Sequence, residues 1–129
     1  MPQSLAQFYA HLVFSTKNRE RTIKTQTFEN LRAYFGGILR DMESPLLAAG
    51  IVPDHVHLLY RHSKNITLVN IIEGVKTGSS KWIKSQGTEY NRFHWQNGYG
   101  AFSVSASKVD VVKRYVLNQE EHHRSVNFQ

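Results

Sequence analysis

Cysteine is absent from the 129 residues of this chain. No disulfide can staple the fold and no thiolate can bind an ion, so a metal site must draw on histidine and oxygen donors, in keeping with a reducing compartment. Long apolar runs are absent too. Nothing approaches the roughly 20 residues that cross a bilayer, and Met1-Pro2-Gln3-Ser4 is too polar to open a secretory signal. The expectation is a cytoplasmic protein with no membrane partner. There is no internal repeat, low-complexity tract or linker. No glycine motif that cradles phosphate is present either, so no nucleotide cofactor is expected.

Acidic residues are in deficit. Sixteen Lys and Arg against ten Asp and Glu leave a formal charge of +6, which favours an anionic partner through long-range attraction and counterion release. Nucleic acid is one such partner; a solvated basic face on an ordinary protein is the other reading. The basic residues form no tail. Lys17, Arg19, Arg21 and Lys24 follow the first apolar run, while Lys76, Lys81 and Lys84 sit in a helical segment. With 40% hydrophobic content, the chain has the size of a single domain, residues 1–129, able to bury one core.

Phe8 to Phe14 is rich in aromatic and aliphatic residues and ends at polar Ser15-Thr16-Lys17-Asn18, which predicts a buried strand. Phe28, Leu31, Phe35, Ile38 and Leu39 recur at helical spacing, with Thr25 or Thr27 as a cap. Leu46 to Val52 and His55 to Tyr60 read as adjacent antiparallel strands broken at Pro53-Asp54. Ile66, Val69, Ile71, Ile72, Val75 and Trp82-Ile83 give a second helical stripe. A glycine-punctuated loop from Gly87 to Gly100 leads into a period-two strand at 101–105. A last helix over 107–123 starts near Ser107, after a small polar stretch, 103–108, that is the one candidate hinge. The order β-α-β-β-α-β-α predicts an α+β domain, an antiparallel four-stranded sheet with helices packed on one face, as in ferredoxin-like and RNA-recognition folds. The other face is left for a site.

Asp54-His55-Val56-His57 is the first candidate for that site. Side chains alternate across a strand, so His55 and His57 project from one face and can share one metal ion. The competing reading is a hydrogen-bonded structural pair. Leu58, Leu59 and Tyr60 are apolar, so two histidines on this strand give up packing surface, and a metal would supply the reason. Nitrogen and oxygen donors without sulfur suit Mg²⁺ or Mn²⁺ as well as zinc. Tyr115 and Gln119, at i and i+4, share one face of the last helix. Lys108, Tyr115, Gln119 and His122 fall in one sector beside the apolar stripe of Val109, Val112 and Val116. A packed amphipathic tyrosine is the bland alternative. As a nucleophile, Tyr115 needs activation, since a free phenol has a pKa of about 10.

These residues carry a family resemblance. His55-Val56-His57 is similar to the HUH signature of single-strand DNA nucleases. His11-Leu12-Val13-Phe14 with Lys17-x-Arg19, then Pro53 to Leu59, Lys76 to Ile83, Trp95 to Val104 and Tyr115 to His123, resemble the successive blocks of the single-tyrosine transposases of the insertion-sequence 200/605 group. The blocks run in order along nearly the whole chain, which chance does not easily produce.

The resemblance implies a ferredoxin-like HUH fold and a bacterial or archaeal transposase that cuts and rejoins single-stranded DNA at the ends of a mobile element, recognising hairpins there. It implies that His55 and His57 bind a divalent metal, Mg²⁺ or Mn²⁺, that Gln119 is the third protein ligand, and that Tyr115 is the nucleophile, forming a 5′-phosphotyrosine. It also implies a homodimer in which the tyrosine helix of one subunit can complete the histidine site of the other. Lys17, Arg19, Lys76, Lys81 and Arg114 are candidate phosphate contacts, and Trp82, Trp95 or Tyr99 candidate stacking platforms for unpaired bases, with core packing the competing role for Trp82. Two further readings stand beside this one: a non-catalytic nucleic-acid-binding module, and a metal-dependent hydrolase that uses water and has no need of Tyr115.

Overall fold

The computed structural model describes the backbone of residues 7–127 and the side chains of residues 7–121, so Met1-Pro2-Gln3-Ser4 and the side chain of His122 lie outside it. Its elements follow the expected order: β1 (Phe8–Ser15), α1 (Phe28–Asp41), β2 (Leu46–Val52), β3 (His55–His62), α2 (Leu68–Lys84), β4 (Gly100–Val104) and α3 (Val109–Asn127), with short 3-10 turns between. The strands form one antiparallel sheet in the order β2-β3-β1-β4. Among the described residues no helix is long and apolar enough to cross a membrane.

Strand alternation divides the sheet into two unlike faces. Leu12 and Phe14 of β1, Ala49 and Ile51 of β2, and Val56, Leu58 and Tyr60 of β3 point to one side and join the main core. There they meet Leu31, Phe35 and Leu39 of α1 and Ile71, Val75 and Ile83 of α2, all fully buried. Burying a side chain of this kind contributes about 1.5–3 kcal/mol, so this layer holds the sheet against its two helices. His11, Val13, His55, His57 and Leu59 take the alternate positions and face the other way.

Local signals account for most boundaries. Val52 pairs with His55, which leaves Pro53-Asp54 as a two-residue hairpin turn. Its carbonyls are anchored: Thr16 N–H donates to Asp54 O at 2.9 Å and Ile23 N–H to Pro53 O at 3.1 Å. The Thr67 hydroxyl caps α2 by accepting from Asn70 N–H at 3.2 Å. Thr27 stands before α1 but caps nothing, because its hydroxyl is 2.8 Å from the Tyr90 hydroxyl in the core. The last helix begins at Val109, after a 3-10 turn over Ala106–Lys108, and continues past 123 to Asn127.

Helices α1 and α2 form the expected layer on one face. Helix α3 lies on the other, against β2 and β3, where Val116 is buried with Ala48 and Leu59. Its backbone rests on the strand at Gly50, where an added Cβ would come 2.1 Å from the Val116 carbonyl oxygen. Beyond that contact, Glu120 accepts the Ile51 N–H at 2.8 Å and pairs with Arg32 of α1. The face that the two-helix layer leaves open is therefore half covered by the helix bearing Tyr115.

Candidate active site

The open half of that face forms a cleft of about 450 Å³, lined by His55, His57, Tyr115 and Gln119 together with Arg19 and the 97–100 loop. Four residues singled out on two distant segments thus converge. The rings of His55 and His57 are 5.0 Å apart, and Tyr115 stands edge-on to His57 at 5.8 Å. Tyr115 is 52% exposed and lines the cleft. The Gln119 amide nitrogen donates to the Tyr115 carbonyl at 3.2 Å, leaving the amide oxygen as the group available to a ligand. A larger cleft of about 670 Å³ lies beyond the 17–19 turn, lined by Lys17, Thr22, Tyr90 and Arg92 among others, and holds none of these four residues.

Two neighbours to which the sequence motifs assign no individual role, Asp54 and His11, complete the cluster. The Asp54 carboxylate lies 2.7 Å from His55 Nδ1. Burial acts to raise its pKa, but the hydrogen bond and charge of His55, and the charge of Arg19 at 3.5 Å, outweigh that and hold it below its usual value. On β1, His11 stacks on His57 at 5.2 Å and brings Nε2 within 3.0 Å of His57 Nδ1. Burial lowers the pKa of His11. Burial, and then repulsion from His55 and His11, brings His57 down to about 4. At neutral pH His57 is therefore an uncharged imidazole, the form a metal requires.

That shift has a measurable sign. The folded chain resists protonation of His57, so the contribution to stability is complete above pH 6.5, the ordinary value, and is lost as pH falls towards about 4. Between pH 7 and 5 this ring alone should remove about 2 kcal/mol. An NMR titration of the metal-free protein should put the His57 midpoint near 4; a midpoint near the ordinary value would mean the ring is not sealed in the sheet.

The donor set fits a divalent ion. With His55 Nδ1 beside Asp54 and His57 Nδ1 beside His11, the two Nε2 atoms and the Gln119 amide oxygen are the atoms left to face an ion. Among the described residues no group of three His, Cys, Asp or Glu side chains is spaced to hold an ion, so an ion here would draw on the amide.

The expected DNA contacts separate. Arg19 lines the active-site cleft, and Arg114 is exposed on α3 beside Tyr115. Lys17 is exposed and lines the larger cleft. Lys81 is exposed in the last turn of α2, in the helix layer behind the sheet. Lys76 is not a free cation. Its ammonium donates to the carbonyls of Gln96 and Gly98 at 2.7 and 3.0 Å and lies 5.8 Å over the Phe14 ring, so it braces the loop beside the cleft. Burial lowers its pKa. Trp95 is no stacking platform: it is 8% exposed, packs edge-on to Phe14 and Phe93, and donates to Ser79 Oγ at 3.0 Å. Trp82 stacks on Tyr34 and packs against the core, and Tyr99 remains exposed at the cleft.

The fold is an antiparallel α+β sheet with a histidine pair on one strand facing a helix-borne tyrosine. The chain belongs to the IS200-like transposase family, whose sequence model matches residues 4–119. Membership of a transposase family supports a DNA-cutting enzyme. Its fold is similar to that of a candidate transposase from Deinococcus radiodurans R1, at TM-score 0.71 and 20% identity over 92% of this chain and 98% of that one. It is also similar to a REP-associated tyrosine transposase bound to a REP hairpin, at TM-score 0.67 and 13% identity over 95% of this chain and 74% of that one. At these identities the likeness concerns the fold. A search of curated protein sequences gives no match.

Proposed function

We propose that this transposase cuts and rejoins single-stranded DNA through a covalent tyrosine intermediate, with hairpin ends as the recognised feature. The observation that carries this reading is the convergence of Tyr115 and Gln119 on α3 with His55 and His57 on β3 around one cleft. In it, Tyr115 Oη attacks the scissile phosphorus. The new bond joins Oη to phosphorus, the P–O3′ bond breaks, and the departing 3′ oxygen takes a proton, leaving a 5′-phosphotyrosine. A second 3′-hydroxyl reverses the step: it attacks the same phosphorus and Tyr115 leaves. Each bond broken is replaced by one of the same kind, so no nucleotide need be spent.

His55, His57 and Gln119 would hold a Mg²⁺ or Mn²⁺ ion, which supplies polarisation of the phosphate and a template for in-line attack. Arg19, in the same cleft, is suited to bind a phosphate oxygen. Hairpin recognition is supported by the hairpin-bound relative in fold and by the +6 charge. The resemblance implies a homodimer, and the site is completed either by each chain for itself or by the tyrosine helix of its partner.

The test is an end-labelled single-stranded oligonucleotide carrying a hairpin from the protein's own locus. With Mg²⁺ or Mn²⁺, a protein-DNA adduct that survives denaturation is expected; with EDTA or with duplex DNA, little or none. Binding without any adduct would leave a non-catalytic binder, and cleavage without an adduct a hydrolase that uses water.

A further inference from the structure

His11 is the one member of the histidine cluster that the proposed chemistry does not use. It faces Leu59 across the β1-β3 ladder, one position diagonal from His57, which faces Val13. The diagonal lays its ring almost parallel to His57, 26° between planes, with Nε2 3.0 Å from His57 Nδ1. A single proton occupies that contact. Were it carried by His11 Nε2, a neutral His57 would bear its own proton on Nε2 and offer no lone pair there. Carried by His57 Nδ1, it leaves His57 Nε2 free. His55 has the same problem solved by Asp54, since a carboxylate can only accept.

We propose that His11 is a positioning residue for His57: it accepts the Nδ1 proton, fixes the ring's orientation and tautomer, and thereby presents Nε2 to a divalent cation. The inference rests on the reading of His57 as a metal ligand. An imidazole does this without charge. A carboxylate at this position would stand close to Tyr115, whose ring is 5.9 Å away, and would oppose the phosphate that must approach it. A direct role as the base for Tyr115 fits less well, because the two rings meet edge-on with no hydrogen bond between them among the described residues, and His11 Nε2 is already committed. Histidine tautomers of this kind are set by outer neighbours that commonly affect metal affinity about 10–100-fold.

The test compares the full-length wild type with His11→Phe and His11→Gln. Long-range proton-nitrogen NMR spectra of the metal-free protein report which His57 nitrogen is protonated, and calorimetry with Mn²⁺ reports affinity. In the wild type, Nδ1 should carry the proton. Glutamine places an amide oxygen near the position of His11 Nε2 and should preserve both readouts. Phenylalanine keeps the stacking but offers no acceptor, so Nε2–H should appear and Mn²⁺ affinity should fall about 10–100-fold. Unchanged spectra in His11→Phe overturn the proposal, as does an affinity that ignores a changed tautomer, or a glutamine variant no better than phenylalanine. If His11→Phe does not fold, His11→Asn, whose shorter amide cannot reach His57, takes its place. A wild type that binds no Mn²⁺ sinks the metal reading instead, and the spectra still decide what His11 does to His57.

Discussion

Tyr115→Phe is expected to abolish the covalent adduct and to lower cleavage by at least about 10⁴-fold, while DNA binding and thermal stability stay close to wild type. The small structural cost follows from position. Tyr115 is 52% exposed and its ring remains in phenylalanine, so stability should shift by no more than about 0.5 kcal/mol. The large chemical cost follows from the loss of the oxygen that forms the bond to phosphorus. Tyr99 is the one other exposed tyrosine lining the same cleft, and Tyr60 and Tyr90 are buried in the core. Burial raises Tyr60 to about 12, which makes it a poorer nucleophile still. Tyr99→Phe is therefore the matched control. An adduct that persists in Tyr115→Phe and vanishes in Tyr99→Phe would move the nucleophile to the 97–100 loop and overturn the assignment.

How much of this site is legible in the chain depends on how far apart the cooperating atoms lie. His55 and His57 share a face because strand alternation is local, and the Pro53-Asp54 turn marks where that strand begins; both follow from neighbouring residues alone. The i, i+4 pair of Tyr115 and Gln119 is local in the same sense. What brings the two pairs together is not. The seating of α3 on the open face depends on Gly50, on the Ala48 and Leu59 pocket for Val116, and on the Glu120 bond to Ile51 N–H, contacts that span most of the chain. His11 reads from sequence only as part of an apolar run and as the start of a family block, since its meeting with His57 is set by strand register. The surroundings of Lys76 are set by distant contacts in the same way. Helical periodicity puts it off the apolar edge, but the 96–98 loop folds back and captures its ammonium. Trp95 reads as a loop aromatic until an isolated bridge from Thr16 draws it into the core.

Gly50→Ala should have the second largest effect, on both activity and stability, although residue 50 touches no substrate. Gly50 pairs with His57 across β2 and β3, and its missing side chain lets α3 lie directly on the strand. A methyl group there would come 2.1 Å from the Val116 carbonyl oxygen and 3.4 Å from Gln119 Cβ. The first obstacle is backbone and cannot rotate aside, so the helix must lift by about 1 Å to restore van der Waals contact. Lifting draws Val116 from its pocket and strains the Glu120 bond, at a cost of about 1–3 kcal/mol. Tyr115 and Gln119 ride on the same turns, and an error of that size at a reacting atom costs about 10²-fold in rate. Gly36→Ala in α1 is the control, since an added Cβ there would meet Leu46 at 3.9 Å, an ordinary contact. Adduct formation rates and thermal melts of the two variants should therefore diverge. If Gly50→Ala reacts as fast as wild type, the seating of α3 at Gly50 does not set the reactive position of Tyr115, and the assignment of that contact fails.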